Sequence, residues 1–133
     1  MRAVVDTNVL FEGLTKVGVC SDLVDAWVSR RFVPCVSAAL AFEYEEVLTN
    51  KLGSARSARA LLALQALLDR AEFVPIFFLT RPLSPDADDD FVIECAFNAS
   101  ASIVTRNSRD MIVAQRALGI PVSTPEEFLA RLE

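Results

Sequence analysis

Short apolar runs alternate with longer stretches of helical period along the whole chain, and this alternation restricts the fold more than any other feature. Residues 2–6 (Arg-Ala-Val-Val-Asp) read as a buried parallel strand. After a stretch of polar and small residues, 21–28 carry a helical pattern, with Ser21 as N-cap, Asp22 in the first turn, and Arg30 and Arg31 at the end. Residues 32–36 read as a second strand, whose Pro34 suits a sheet edge or a strand end. Ser37 caps a helix reaching residue 50, 55–70 is a leucine-rich helix, and 73–78 is a third strand. A Pro-containing loop over 81–86 leads to a helix over 88–98, a strand over 102–105, and a helix over 110–118 stopped by Gly119. Residues 121–123 make a last short strand, and Thr124-Pro-Glu-Glu127 is a capping box that starts the terminal helix. The alternation predicts an α/β fold, a three-layer α/β/α sandwich with a mainly parallel central sheet and right-handed crossovers. Functional groups in such sheets gather beyond the carboxyl ends of the strands.

At 133 residues and 53% hydrophobic, the chain is expected to form one domain over 1–133 and to bury a core without staples. Cys20, Cys35 and Cys95 are odd in number, widely spaced and set among apolar neighbours, so buried free thiols are expected rather than disulfides. Neither a leader pattern nor an apolar run near the roughly 18 residues of a membrane span is found. A soluble, cytoplasmic protein is therefore expected.

There is no histidine. Its absence excludes Ser-His-Asp and Cys-His triads, His-ligated zinc and His acid–base catalysis, leaving carboxylates, Lys/Arg, hydroxyls and thiols. The 13 basic and 18 acidic residues give a net charge of −5, which by itself argues against a nucleic-acid partner.

Some of those acids stand in unusual places. Asp6 follows Ala-Val-Val on a strand expected at the centre of the sheet, although it also suits a cap of whatever helix follows. Glu43 shares a helical face with Leu40 and Val47, and the apolar residues of that helix, Phe42 included, are expected to point inward. A carboxylate on a core-facing stripe must be paired, protonated or bound to a cation. Between Asp86 and Asp90 stand Asp86, Asp88, Asp89 and Asp90, a density that self-repels unless the acids are solvated, complement a helix N-terminus or hold a cation. Carboxylates gathered at the carboxyl edge of a parallel sheet, with no histidine, suit a hard, oxygen-seeking ion such as Mg²⁺ or Mn²⁺. The matching chemistry is hydrolysis of a phosphodiester by metal-activated water.

Four motifs in order carry a family resemblance: Val-Val-Asp6-Thr-Asn8-Val-Leu, Ser37-x-x-Leu-x-x-Glu43-Tyr-Glu-Glu-Val-Leu48, Asp86-x-Asp88-Asp89-Asp90-x-x-x-Glu-x-Ala96 and Ile-Val-Thr105-Arg-Asn107-x-x-Asp110. Together they resemble a PIN domain, and more narrowly the VapC-like ribonuclease toxins of toxin–antitoxin systems. The resemblance implies a metal-dependent endoribonuclease using one or two Mg²⁺ or Mn²⁺ ions, often a homodimer, acting on RNA and neutralised by a cognate antitoxin. It places the first acid on Asp6, with Thr7 and Asn8 in support, the second on Glu43 and the third on Asp89. The fourth acid of the pattern stands two residues after the strand-ending Thr105, where this chain has Asn107; Asp110 is the candidate replacement. Asp6, Glu43, Asp89 and Asp110 are thus the implied metal ligands, with Asn107 beside them in the catalytic set. Asn8, Thr105, Arg106 and Arg109 are the candidate substrate contacts, arginine being the better bidentate phosphate ligand. A divalent cation in such a pocket would largely neutralise its acids and remove the objection from net charge.

Three other readings compete. A degenerate module would bind RNA or a partner protein without cleaving. A haloacid-dehalogenase-type phosphotransferase needs a second Asp two residues after Asp6, where Asn8 stands. A receiver-like phosphoacceptor needs an acid pair near the first strand and a late lysine, whereas the only lysines are Lys16 and Lys51.

Overall fold

A computed structural model describes residues 1–80 and 87–133, with the backbone alone for Ala87 and Asp88. Along it run β1 (Arg2–Val5), α1 (Thr7–Thr15), α2 (Val19–Val28), β2 (Val33–Val36), α3 (Ala38–Lys51) and α4 (Ser54–Leu68). They are followed by β3 (Glu72–Phe73), α5 (Ala87–Ala99), β4 (Ser102–Val104), α6 (Ile112–Leu118), β5 (Val122–Ser123) and α7 (Pro125–Leu132). The strands form one sheet in the order β3-β2-β1-β4-β5, every pair parallel. Ala3, Val4 and Val5 of the central strand are fully buried, as a strand covered on both faces requires.

From β1 through β2 to β3 the chain moves one way across the sheet, and from β3 through β4 to β5 it moves back. Right-handed crossovers then put α1 to α4 on one face and α5 and α6 on the other, with α7 returning against α2. This is the three-layer α/β arrangement expected. The direction of winding reverses between β1 and β4, and a crevice opens outside the carboxyl ends of two such strands. Helix α3 packs on both α1 and α5, elements of opposite layers, so it lies across that carboxyl edge.

Helix α1 is absent from the sequence expectation. Asn8, Gly13 and Thr15 are weak helix formers that obscure its period, but Val9 and Leu10 are buried and fix its inner face. Strand β1 consequently ends at Val5, and Asp6 becomes the N-cap of α1. Helix α2 starts two residues before the expected point. Gly18 is its N-cap, and the Ser21 hydroxyl accepts from the Gly18 N–H at 2.9 Å while donating to the Gly18 carbonyl at 2.8 Å. Strand β3 is only two residues long. The amides of Phe77 and Phe78 donate to the Asn98 side-chain oxygen, each at 2.9 Å, and the Asn98 amide donates to the Phe78 carbonyl. A side chain thus satisfies this backbone where a strand ladder was expected. Helix α6 begins at Ile112, after a turn over 108–111.

Pro34 lies within the sheet but opposite no residue of β3, whose pairing begins at Cys35, so its missing N–H costs no ladder bond. Phe42 is exposed, contrary to expectation, because the buried face of α3 is formed by Leu40, Glu43, Tyr44 and Leu48. Leu64 and Leu67 of α4 face the core, and the Leu67 carbonyl accepts from the Trp27 indole N–H at 2.9 Å, joining α4 to α2. Leu62 is exposed. All three cysteines are free and buried, and burial pushes the Cys95 thiol up to about 12. Among the described residues no helix is long and apolar enough to cross a membrane.

Candidate active site

Asp6 and Thr105 directly follow β1 and β4, at the point where the direction of winding reverses. Asp6 has the extended backbone of an N-cap, yet its carboxylate makes no capping bond to α1. It is buried, and it accepts a hydrogen bond from the Thr105 hydroxyl at 2.7 Å. Pairing of Val5 with Val104, and donation from the Asp6 N–H to the Val104 carbonyl at 2.9 Å, set the two residues side by side. The Thr105 hydroxyl oxygen in turn accepts from the Asn107 N–H at 2.9 Å, and the Asn107 side-chain amide donates to Asp110 at 2.6 Å. A single chain of bonds therefore joins Asp6, Thr105, Asn107 and Asp110.

Glu43 comes from α3. Ser37 caps that helix by accepting from the Leu40 N–H at 3.2 Å, so the inner face of its second turn carries Glu43 and Tyr44. The Tyr44 hydroxyl donates to the carbonyl of Val5, the residue before Asp6, and complete burial raises its pKa well above 10. This bond holds the Glu43 turn against the end of β1. Glu43 is 8% exposed and is bonded within the structure.

From the other layer α5 brings Asp89, Asp90 and Glu94, each buried and each engaged with neighbouring groups. These aspartates are not a solvated helix start. Asp86 and the side chain of Asp88 lie outside the described residues. Asp90 belongs to the acid cluster singled out in the sequence; Glu94 is not singled out there, although it carries the same signal as Glu43, an acid inside an apolar run (Val92-Ile93-Glu94-Cys95-Ala96). Asn8, Arg106, Asn107 and Arg109 are exposed. Arg106 is already engaged, with Glu12 of α1 at 3.2 Å and Glu126 of α7 at 3.1 Å.

The donors suit a hard divalent ion, being carboxylate, amide and hydroxyl oxygens. The Thr7 and Ser123 hydroxyl oxygens, beside Asp6 and at the end of β5, are buried without a hydrogen-bond partner among the described residues. Among the described residues no group of three acids is arranged to hold an ion. Mg²⁺ does not require one, since one or two carboxylates with waters and substrate phosphate suffice.

The PIN domain family model matches residues 2–109. The chain belongs to the PIN-domain family. No curated protein matches it closely. Among solved structures, VapBC2 from Rickettsia felis, bound to a DNA fragment from its promoter, aligns with a TM-score of 0.65 and 13% identity, over 93% of this chain and 98% of that one. FitAB bound to an IR36 DNA fragment aligns at 0.61 and 16%, over 92% and 94% of the two chains. VapBC-1 from nontypeable Haemophilus influenzae aligns at 0.58 and 13%, over 95% and 99%. At these identities the likeness is one of fold. In this PIN domain Asn107, the residue for which the resemblance implies a fourth acid, is hydrogen-bonded to the Asp110 carboxylate.

Proposed function

We propose that this PIN domain is a Mg²⁺- or Mn²⁺-dependent endoribonuclease and the toxin of a toxin–antitoxin pair. The observation that carries the reading is the buried Asp6 carboxylate at the switch point of the sheet, turned away from helix capping and oriented by Thr105. Asp6, Glu43 and Asp89 would hold the ion, with Asp110 as a further ligand on the β4 side. A bound ion would polarise the phosphoryl oxygen and make a water more acidic and more nucleophilic. Thr105 fixes the rotamer of Asp6, the Asn107 backbone fixes Thr105, and Asn107 holds Asp110 in place. Arg109 and Asn8, both exposed beside this edge, take the RNA backbone. Arg106 holds the 105–107 segment between α1 and α7. A cognate antitoxin and a second copy of the chain are the proposed partners; the VapBC and FitAB likenesses support the first.

Asn107 favours a second reading, a module that binds RNA without cleaving it, because an amide brings no charge to the fourth position. One experiment separates the two. Labelled tRNA, rRNA and mRNA are incubated with wild type and Asp6→Asn, with and without Mn²⁺. Cleavage by wild type alone, requiring Mn²⁺, is expected. Equal cleavage by Asp6→Asn would sink the site assignment, and RNA binding without cleavage would establish the second reading.

A further inference from the structure

In a chain of net charge −5, two arginines line one cleft. The cleft, of about 300 Å³, lies between the end of α1 and the start of α4. Leu14, Leu52, Ala60 and Ala63 give it an apolar lining, Thr15, Arg56 and Arg59 line the rest, and no acid among the described residues lines it. Both arginines are exposed, and neither has an ion-pair partner among the described residues. The two lysines of the chain are sequence neighbours of lining residues. Lys16 follows Thr15, which also lines the cleft, and Lys51 precedes Leu52, with its ammonium 5.1 Å from the centre of the Phe11 ring.

The cleft is connected to the candidate site through two helices. Helix α1 has Asp6 as its N-cap and Thr15 as its last residue, a span of roughly 14 Å at 1.5 Å per residue. Helix α3 carries Glu43 and ends at Lys51, roughly 12 Å further on. A strand of RNA crossing the acids at the sheet edge meets this cleft within a few nucleotides.

We propose that the cleft binds the phosphodiester backbone of the RNA on one side of the cleaved bond, an inference that rests on the ribonuclease reading above. Arg56 and Arg59, three residues apart on one helix face, take a phosphate in bidentate fashion, Lys51 and Lys16 take its neighbours, and the apolar lining receives a base. An acidic protein segment would satisfy the same cations, but the cleft's connection along α1 and α3 to the acids favours the substrate.

The test measures anisotropy of a fluorescent single-stranded RNA on the full chain in an Asp6→Asn background with Mg²⁺, from low to physiological salt. Arg56→Glu/Arg59→Glu is expected to weaken binding at least tenfold at low salt. The neutral variant Arg56→Gln/Arg59→Gln is expected to reduce the slope of log affinity against log salt by about 0.7, the single-strand value for one lost phosphate contact. Melting curves confirm that both variants fold, and the neutral pair carries the test if the charge-reversed one does not. Unchanged RNA affinity and slope in the folded variants would overturn the proposal, as would loss of antitoxin binding with RNA binding intact, which would assign the cleft to an acidic protein segment. If the Asp6→Asn parent binds no RNA and wild type cleaves none, the ribonuclease reading itself falls.

Discussion

The Thr105 hydroxyl donates to the Asp6 carboxylate at 2.7 Å, joining residues 99 apart in sequence at the switch point of the sheet. Both are buried, so the bond lies where a missing donor is costly. Thr105→Val keeps the shape and removes the hydroxyl. It is expected to cost about 1.5–3 kcal/mol, the range for a hydrogen bond to a charged group, and to lower RNA cleavage as Asp6 loses its orientation. Urea unfolding and cleavage rates check this, with Thr105→Ser expected to recover most of both. Wild-type stability in the valine variant would show that the bond is dispensable.

Asn107 donates its amide to Asp110 at 2.6 Å. Replacing it by aspartate sets two carboxylates in contact, which must repel, share a proton or share a cation. Asn107→Asp should therefore melt below wild type in chelator and recover in Mn²⁺ by more than wild type does. A melting temperature indifferent to Mn²⁺ would count against a cation position on the β4 side.

The Arg106 bridge to Glu12 and Glu126 should show in the acid limb of stability. The Glu12 carboxyl is held below its ordinary 4.5 by a hydrogen bond from the Cys20 thiol and by Arg106. The Glu126 carboxyl is lowered by a backbone N–H and by Arg106. Because the folded-state values are depressed, this stabilisation is complete above the ordinary value and disappears as pH falls through the lowered ones. Arg106→Met should thus melt slightly below wild type near pH 7, and the gap should close toward pH 3. The effect is small because both acids are solvent-accessible. A gap that persists unchanged at pH 3 would mean that packing, not charge, explains the residue.

Gly13 is a helix-interior glycine that alanine should not improve. Alanine would ordinarily gain about 1 kcal/mol in such a position. Here its Cβ would stand 2.6 Å from the Cys20 carbonyl oxygen and 2.6 Å from a Val24 methyl. The oxygen belongs to α2 backbone and cannot rotate away, so α1 and α2 must separate. Overpacking costs typically 1–3 kcal/mol, and net destabilisation is expected in urea unfolding. A more stable Gly13→Ala would show that the two helices yield easily.

The two strongest site predictions came from local anomalies. Asp6 ends an apolar strand and Glu43 interrupts an apolar helical stripe, and both prove to be buried at the carboxyl edge. Glu94 carries the same kind of signal, an acid within an apolar run, and is likewise buried. Helix α1 and the shortness of β3 were not legible. In α1, glycine and polar residues dilute the period, and the reason for Gly13 is contact with α2, a long-range fact. After β3, Val74 still donates to the Val36 carbonyl, but the Asn98 side chain takes the backbone hydrogen bonds of Phe77 and Phe78.

By itself, then, the sequence determined the class of fold, the caps at Ser37 and Thr124, the free thiols and an all-oxygen donor set, since these depend on period, composition and neighbours a few residues apart. Only the tertiary structure decided which carboxylate is oriented by which hydroxyl, that Arg106 is spent on Glu12 and Glu126, and that Arg56 and Arg59, without an ion-pair partner among the described residues, line one cleft. Those pairings are made across up to 99 residues by sheet register and crossover handedness, and no local pattern encodes them.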